Sequence, residues 1–241
     1  MVLLHGLGSS CRDWEFQEVA LEERYRVVSV DLPGHGSSTS SGQPVTIESM
    51  ADDVAALLAT LDDADPAHVV GLSLGACVAL RLGLQAPERV RSLTLVNPFA
   101  RVQPTGPRDV ARLVLRLTML GVAPMRMVGA HVARGLFPWP EQRALYDAAV
   151  ASLGATPRRG YASALRALAQ FDARGQVAAI RRPTLVVAGD RDTMVPLGPK
   201  LRLAAAIPGA RIVVVPASGH ATPYDQPATF NRVLLEFLTQ H

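Results

Sequence analysis

The chain has 241 residues, 49% apolar and 19% charged, which suits one domain with a sizeable core and excludes a disordered or fibrous chain. No apolar run approaches the ~20 residues that cross a bilayer and no secretory leader opens the sequence, so a cytoplasmic protein without a membrane partner is expected. The net charge of +3 comes from arginine, Lys200 being the only lysine, and no basic stripe with interleaved aromatics points to nucleic acid.

Short β-branched runs alternate with amphipathic helical patterns along most of the chain. Strands are expected at Val2–Leu4 and Arg26–Asp31, then a helix at Ile47–Leu61. A strand at His68–Gly71, a helix at Leu74–Gln85 and a strand at Ser92–Val96 follow. From about Val102 to about Ala167 the rhythm changes. No strand pattern occurs there, helical stretches are punctuated by Pro104, Pro107, Pro124, Pro138, Pro140 and Pro157, and Val110, Leu113, Val114, Leu117 and Leu120 recur at helical spacing. The alternation resumes with a strand at Thr184–Ala188, a helix at Leu197–Ala206, a strand at Arg211–Val215 and a helix at Ala228–Thr239. The pattern implies an α/β fold, a doubly wound and mostly parallel β-sheet with a helical insertion between core strands. The division is core over 1–101, helical cap over 102–167 and core again over 168–241.

Gly71-Leu72-Ser73-Leu74-Gly75 fits G-x-S-x-G between a strand and a helix. A sharp turn there exposes the Ser73 hydroxyl above the sheet edge, and side chains in place of Gly71 and Gly75 would collide with the turn. A serine hydroxyl needs a base to take its proton and a third group to orient that base. His220 follows the last strand behind Gly219, and it is the histidine placed to be that base. His5 and His35 sit in glycine-flanked loops as structural supports, and His68, His131 and His241 have no such position. Asp192 and Asp190 both follow the strand at Thr184–Ala188; Asp192, deeper in the loop, is the expected acid. Asn97 stands where another acid would serve and supplies no charge. Two cysteines, Cys11 and Cys77, make no disulfide framework, and no His/Cys cluster has metal-ligand spacing, so neither metal nor cofactor is expected.

These motifs resemble the α/β-hydrolase superfamily almost from end to end. Leu3-Leu4-His5-Gly6-Leu7-Gly8 is similar to its HG oxyanion loop, Asp31-Leu32-Pro33-Gly34-His35-Gly36-Ser37 to its DxxGxGxS loop, and Gly189-Asp190-Arg191-Asp192 with Val195-Pro196 to its acid loop. The resemblance implies a Ser73–Asp192–His220 triad, an oxyanion hole made by the backbone N–H groups of Leu7 and Leu74, and a cap that shapes the pocket. Met119, Met125, Phe137 and Trp139 either line that pocket or form cap core. Arg112, Arg116, Arg126 and Arg134 form the cap's solvated face, or one of them meets a substrate carboxylate. Family members commonly have two strands ahead of the one leading into HG, so N-terminal strands are expected to be missing here.

Within the superfamily the chain looks like the carboxylesterases and the 3-oxoadipate enol-lactonases, cofactor-free serine hydrolases of small-molecule esters or lactones. The same residues would serve a carbon–carbon bond hydrolase of ring-fission products or a cofactor-free acyltransferase or perhydrolase. A non-catalytic ligand-binding homologue would share the fold. Haloalkane dehalogenases and epoxide hydrolases are disfavoured because serine, not aspartate, stands at position 73.

Overall fold

In a computed structural model, which describes residues 1–39, 45–61, 65–102 and 106–241, six strands form one all-parallel sheet. Pro104 lies outside the described residues. In chain order the elements before the insertion are β1 (Val2–Leu4), α1 (Glu15–Leu21), β2 (Val28–Val30), α2 (Ile47–Thr60), β3 (Ala67–Leu72), α3 (Leu74–Gln85) and β4 (Val90–Val96). The insertion holds α4 (Pro107–Val122), α5 (Met125–Leu136), α6 (Arg143–Ala155) and α7 (Arg158–Gln170). After it come β5 (Thr184–Gly189), α8 (Leu197–Ala206), β6 (Arg211–Val215), α9 (Thr222–Asp225) and α10 (Pro227–Leu238). Across the sheet the order is β2-β1-β3-β4-β5-β6.

Neighbouring side chains along the central strands bury themselves in opposite layers. Val69 of β3 and Val186 of β5 join the layer of α2, α3 and α8, with Met50, Val54, Ala76, Leu80 and Leu203. Val70, Leu185 and Val187 join the opposite layer, with Trp14, Leu21, Phe230, Leu234 and Phe237 from the side of α1 and α10. Two covered faces explain the unbroken apolar runs Val69-Val70 and Leu185-Val186-Val187-Ala188. The expected strand over Arg26–Asp31 pairs only at Val28–Val30, because β2 is at the sheet edge and its one neighbour, β1, offers three residues.

Several prolines of the insertion mark helix starts, where a missing N–H costs nothing. Pro107 opens α4, Pro124 caps α5 and Pro157 caps α7. The inserted helices have their own core of Leu120, Val128, Val132, Leu153 and Tyr161. Helix α7 crosses position 167, and its Ala164, Ala167 and Leu168 pack with the main core. An antiparallel bridge between Arg101 and Asp172 closes the neck of the insertion. No helix among the described residues is long and apolar enough to cross a membrane.

Candidate active site

The turn from β3 into α3 places Ser73 at φ 53° and ψ −104°, a left-handed backbone that a non-glycine residue adopts only when its surroundings enforce it. Two hydrogen bonds and two close backbone approaches do so. Ser73 N–H donates to the Val96 carbonyl at 3.0 Å, and Gly75 N–H donates to the His5 carbonyl at 3.1 Å. A Cβ on Gly71 would lie 2.2 Å from the Gly75 carbonyl oxygen, and one on Gly75 would lie 2.1 Å from that of Leu4. Glycine at both positions is therefore required for the turn to close against β1.

Ser73, His220 and Asp192 meet at the carboxyl ends of β3, β6 and β5. The Ser73 hydroxyl lies 2.8 Å from His220 Nε2, and Nδ1 of the same ring lies 2.7 Å from Asp192 Oδ2. The order suits a hydroxyl that donates to Nε2 and an Nδ1–H that donates to the carboxylate. Asp190, the competing acid, instead accepts the Ser218 N–H at 3.2 Å and braces the loop that leads to His220. Asp192 Oδ1 accepts the N–H groups of Met194 and Val195, at 2.8 and 3.0 Å. Burial alone would raise the Asp192 carboxyl, but His220 and Lys200 outweigh it and hold Asp192 well below the usual carboxylate range. It is therefore ionised at any working pH.

Lys200 has no place in the sequence-derived site, yet its side chain is fully buried beside it. Nζ donates to Asp192 Oδ2 and to Asn97 Oδ1, each at 2.6 Å. Asn97, at φ 47°, also accepts the Gly189 N–H at 2.9 Å and donates through Nδ2 to the His220 carbonyl at 2.7 Å and to Thr222 Oγ1 at 2.9 Å. The asparagine at the end of β4 thus holds the histidine loop rather than supplying a charge. Burial pulls the Lys200 ammonium below its ordinary value, and the Asp192 carboxylate opposes that pull. The sequence carried one signal for Lys200, its being the only lysine of the chain.

A cavity of about 1470 Å³ opens over Ser73 and His220 between the core and the inserted helices. Gly6, Leu7, Leu72 and Ser73 line its floor. Leu74 begins α3, so its N–H has no partner within the helix, as an oxyanion donor requires. The HG loop carrying Leu7 is fixed by His5, whose Nε2 accepts the Leu32 N–H at 2.9 Å and whose Nδ1 lies 2.7 Å from the Gly6 carbonyl. Of the four residues weighed for the pocket, Phe137 lines the cavity. Met119 and Met125 pack against the core of the inserted helices, whose gaps their flexible side chains fill. Trp139 is stacked under the Arg191 guanidinium, 5.6 Å away. Arg112, Arg116 and Arg134 border the cavity, and Arg126 is not among its lining. Asp13 also borders it, accepting the Ser9 hydroxyl, and burial pushes its carboxyl up to about 7. Among the described residues no three His, Cys, Asp or Glu side chains are arranged to hold a metal ion.

Residues 1–227 match the sequence model of the family described as alpha/beta hydrolase fold. The chain belongs to that family. The hydrolase is 33% identical over 248 residues to the "Putative carbamate hydrolase RutD" of Caulobacter sp. (strain K31), covering 99% of this chain and 90% of the relative. It is 30% identical over 240 residues to 3-oxoadipate enol-lactonase 1 of Acinetobacter baylyi, covering 99% of this chain and 88% of that protein. The crystal structure of the enol-lactonase from Burkholderia xenovorans LB400 superposes with a TM-score of 0.89 at 29% identity, over 99% of this chain and 90% of that one.

Proposed function

We propose that this hydrolase cleaves a carboxylic ester or lactone of a small molecule through an acyl-enzyme on Ser73. The observation that carries the reading is the continuous relay of 2.8 and 2.7 Å from the Ser73 hydroxyl through His220 to Asp192. His220 Nε2 takes the hydroxyl proton as Ser73 Oγ attacks the carbonyl carbon. Asp192 holds the Nδ1–H tautomer and stabilises the imidazolium, and the Leu7 and Leu74 N–H groups receive the oxyanion. The imidazolium then gives its proton to the departing oxygen, leaving Ser73 acylated. Water, deprotonated by His220, attacks the acyl carbon and releases the acid with Ser73 restored. The helices of the 102–167 insertion form the cap over the acyl group, and no cofactor takes part.

Two further features narrow the substrate. Arg112, Arg116 and Arg134 border the cavity, Arg116 being held by the Tyr161 hydroxyl, and their shared positive charge favours an acyl chain ending in a carboxylate. A carbamate, favoured by the likeness to RutD, would react through the same steps.

The test is hydrolysis of p-nitrophenyl esters by the native chain and Ser73→Ala, comparing neutral butyrate and valerate with the hemisuccinate and hemiglutarate. Turnover that falls on the order of 10⁴-fold or more in the variant is expected. Acidic esters should be preferred about tenfold or more, and that preference should shrink in Arg116→Met. Turnover indifferent to Ser73 overturns the reading; a phenyl carbamate cleaved in preference to every ester replaces it with the carbamate reading.

A further inference from the structure

We propose that Lys200 is a positioning residue that sets the basicity of His220 by sharing the same oxygen of Asp192. The inference rests on the Ser73–His220 reading above and concerns how the base is tuned.

The geometry is unusual for a chain of this composition. Every other cationic side chain is arginine, and the single lysine is fully buried, in contact with the acid that meets His220. A guanidinium is broad and forks toward two acceptors, whereas an ammonium is a compact charge with three donors. The site takes the compact one. Nζ lies 2.6 Å from Asp192 Oδ2, and His220 Nδ1 lies 2.7 Å from that same atom. Asp192 Oδ1 is already occupied by two backbone N–H groups, so ring and ammonium have one oxygen between them.

The arrangement has two consequences. Mechanically, Lys200 joins the acid loop to Asn97, which in turn grips the His220 carbonyl, so one side chain of α8 fixes acid and base together. Electrostatically, a positive charge behind the carboxylate withdraws part of its support from the imidazolium. That favours the neutral ring, the form able to accept the Ser73 proton. Other charges near the ring do not duplicate this effect. Asp225 of α9 accepts the Ser218 hydroxyl at 2.8 Å and the Gly219 N–H at 2.5 Å, Asp190 braces Ser218, and Arg191 stacks on Trp139; all three persist when Lys200 is replaced.

The experiment is the pH dependence of kcat/KM for Lys200→Met and Lys200→Gln, normalised to active sites counted with a serine-directed phosphonate. In both, the acid-side midpoint should move up by about one pH unit or more, as removal of a like charge within a few ångströms requires. Gln retains a hydrogen bond to Asp192 and should not rescue the midpoint. A lysine that merely fills space would lower the active fraction and leave the midpoint where it is, and that result overturns the inference. Should neither variant fold, the native protein still decides. Labelling with ¹⁵N-lysine gives one Nζ resonance, which should shift with the midpoint of the kcat/KM acid limb. An Nζ signal flat through that limb overturns the inference. Loss of Ser73-dependent turnover in the native chain would instead remove the esterase reading and is seen before any Lys200 variant is made.

Discussion

Asp13 shows how a single side chain can tie this fold to pH. Its carboxyl borders the cavity, accepts the Ser9 hydroxyl, and is raised to about 7 by burial, against the pull of its hydrogen bonds. In the unfolded chain it titrates near 4. Between these values the folded state keeps a proton that the unfolded state has lost, so the contribution of Asp13 to stability is fully present below about pH 4 and is lost as pH rises through about 7. Asp13→Asn removes this dependence. Urea unfolding at pH 5 and pH 8 should show the variant gaining on the native chain by about 2 kcal/mol at the higher pH; a difference equal at both pH values would sink the idea. At this scale the sequence was informative where chemistry has a motif. Ser73, Asp192 and His220 meet as their loops suggested, because G-x-S-x-G and the strand ends leave few geometries open. Beyond its being the only lysine, the role of Lys200 was not legible, because its partners, Asp192 and Asn97, come from two other segments and nothing local announces them.

Among the elements, the junction of α7 with the 31–37 loop is the tightest. Gly34, at φ +76°, and Gly160 meet backbone to backbone, and a Cβ on Gly160 would fall 2.0 Å from the Gly34 carbonyl oxygen. Gly160→Ala should therefore displace the start of α7, costing about 1–3 kcal/mol as overpacking does. The expected outcome is a lower Tm together with a changed KM, since Ala162 and Leu165 of that helix line the cavity. A variant equal to the native chain in both would show that the contact opens freely. Helix positions were read to within a residue or so, because amphipathic spacing and proline punctuation act locally: Leu74–Gln85 and Leu197–Ala206 match the expected spans. The extent of β2 was not, since a strand's length depends on what its neighbour offers, and β1 offers three residues.

For the molecule as a whole, chain order and spatial order part company. Ser73 lies before the insertion, Asp192 and His220 after it, and the parallel pairing of β4 with β5 joins the two halves. A chain cut between Ala123 and Pro124 should give pieces that are each inactive, one lacking the base and the other the nucleophile. Co-expression should restore Ser73-dependent turnover if the halves dock through the sheet, and purified mixtures that stay inactive would place the cap's continuity among the requirements of folding. The parallel sheet itself was legible from the alternation of strands and helices, whereas the way the inserted helices lean over the site was not, since their packing depends on side chains brought together from distant turns. The same separation has a consequence on the ribosome. When Val96 has emerged, the buried row Leu93, Leu95 and Val96 has β3 on one side and nothing on the other until Thr184 arrives. At ~5–20 residues per second that wait lasts roughly 4–18 s. Through that interval the nascent chain presents an open apolar edge that the finished protein never shows, and holding it unpaired falls to the translation machinery and its chaperones rather than to the fold.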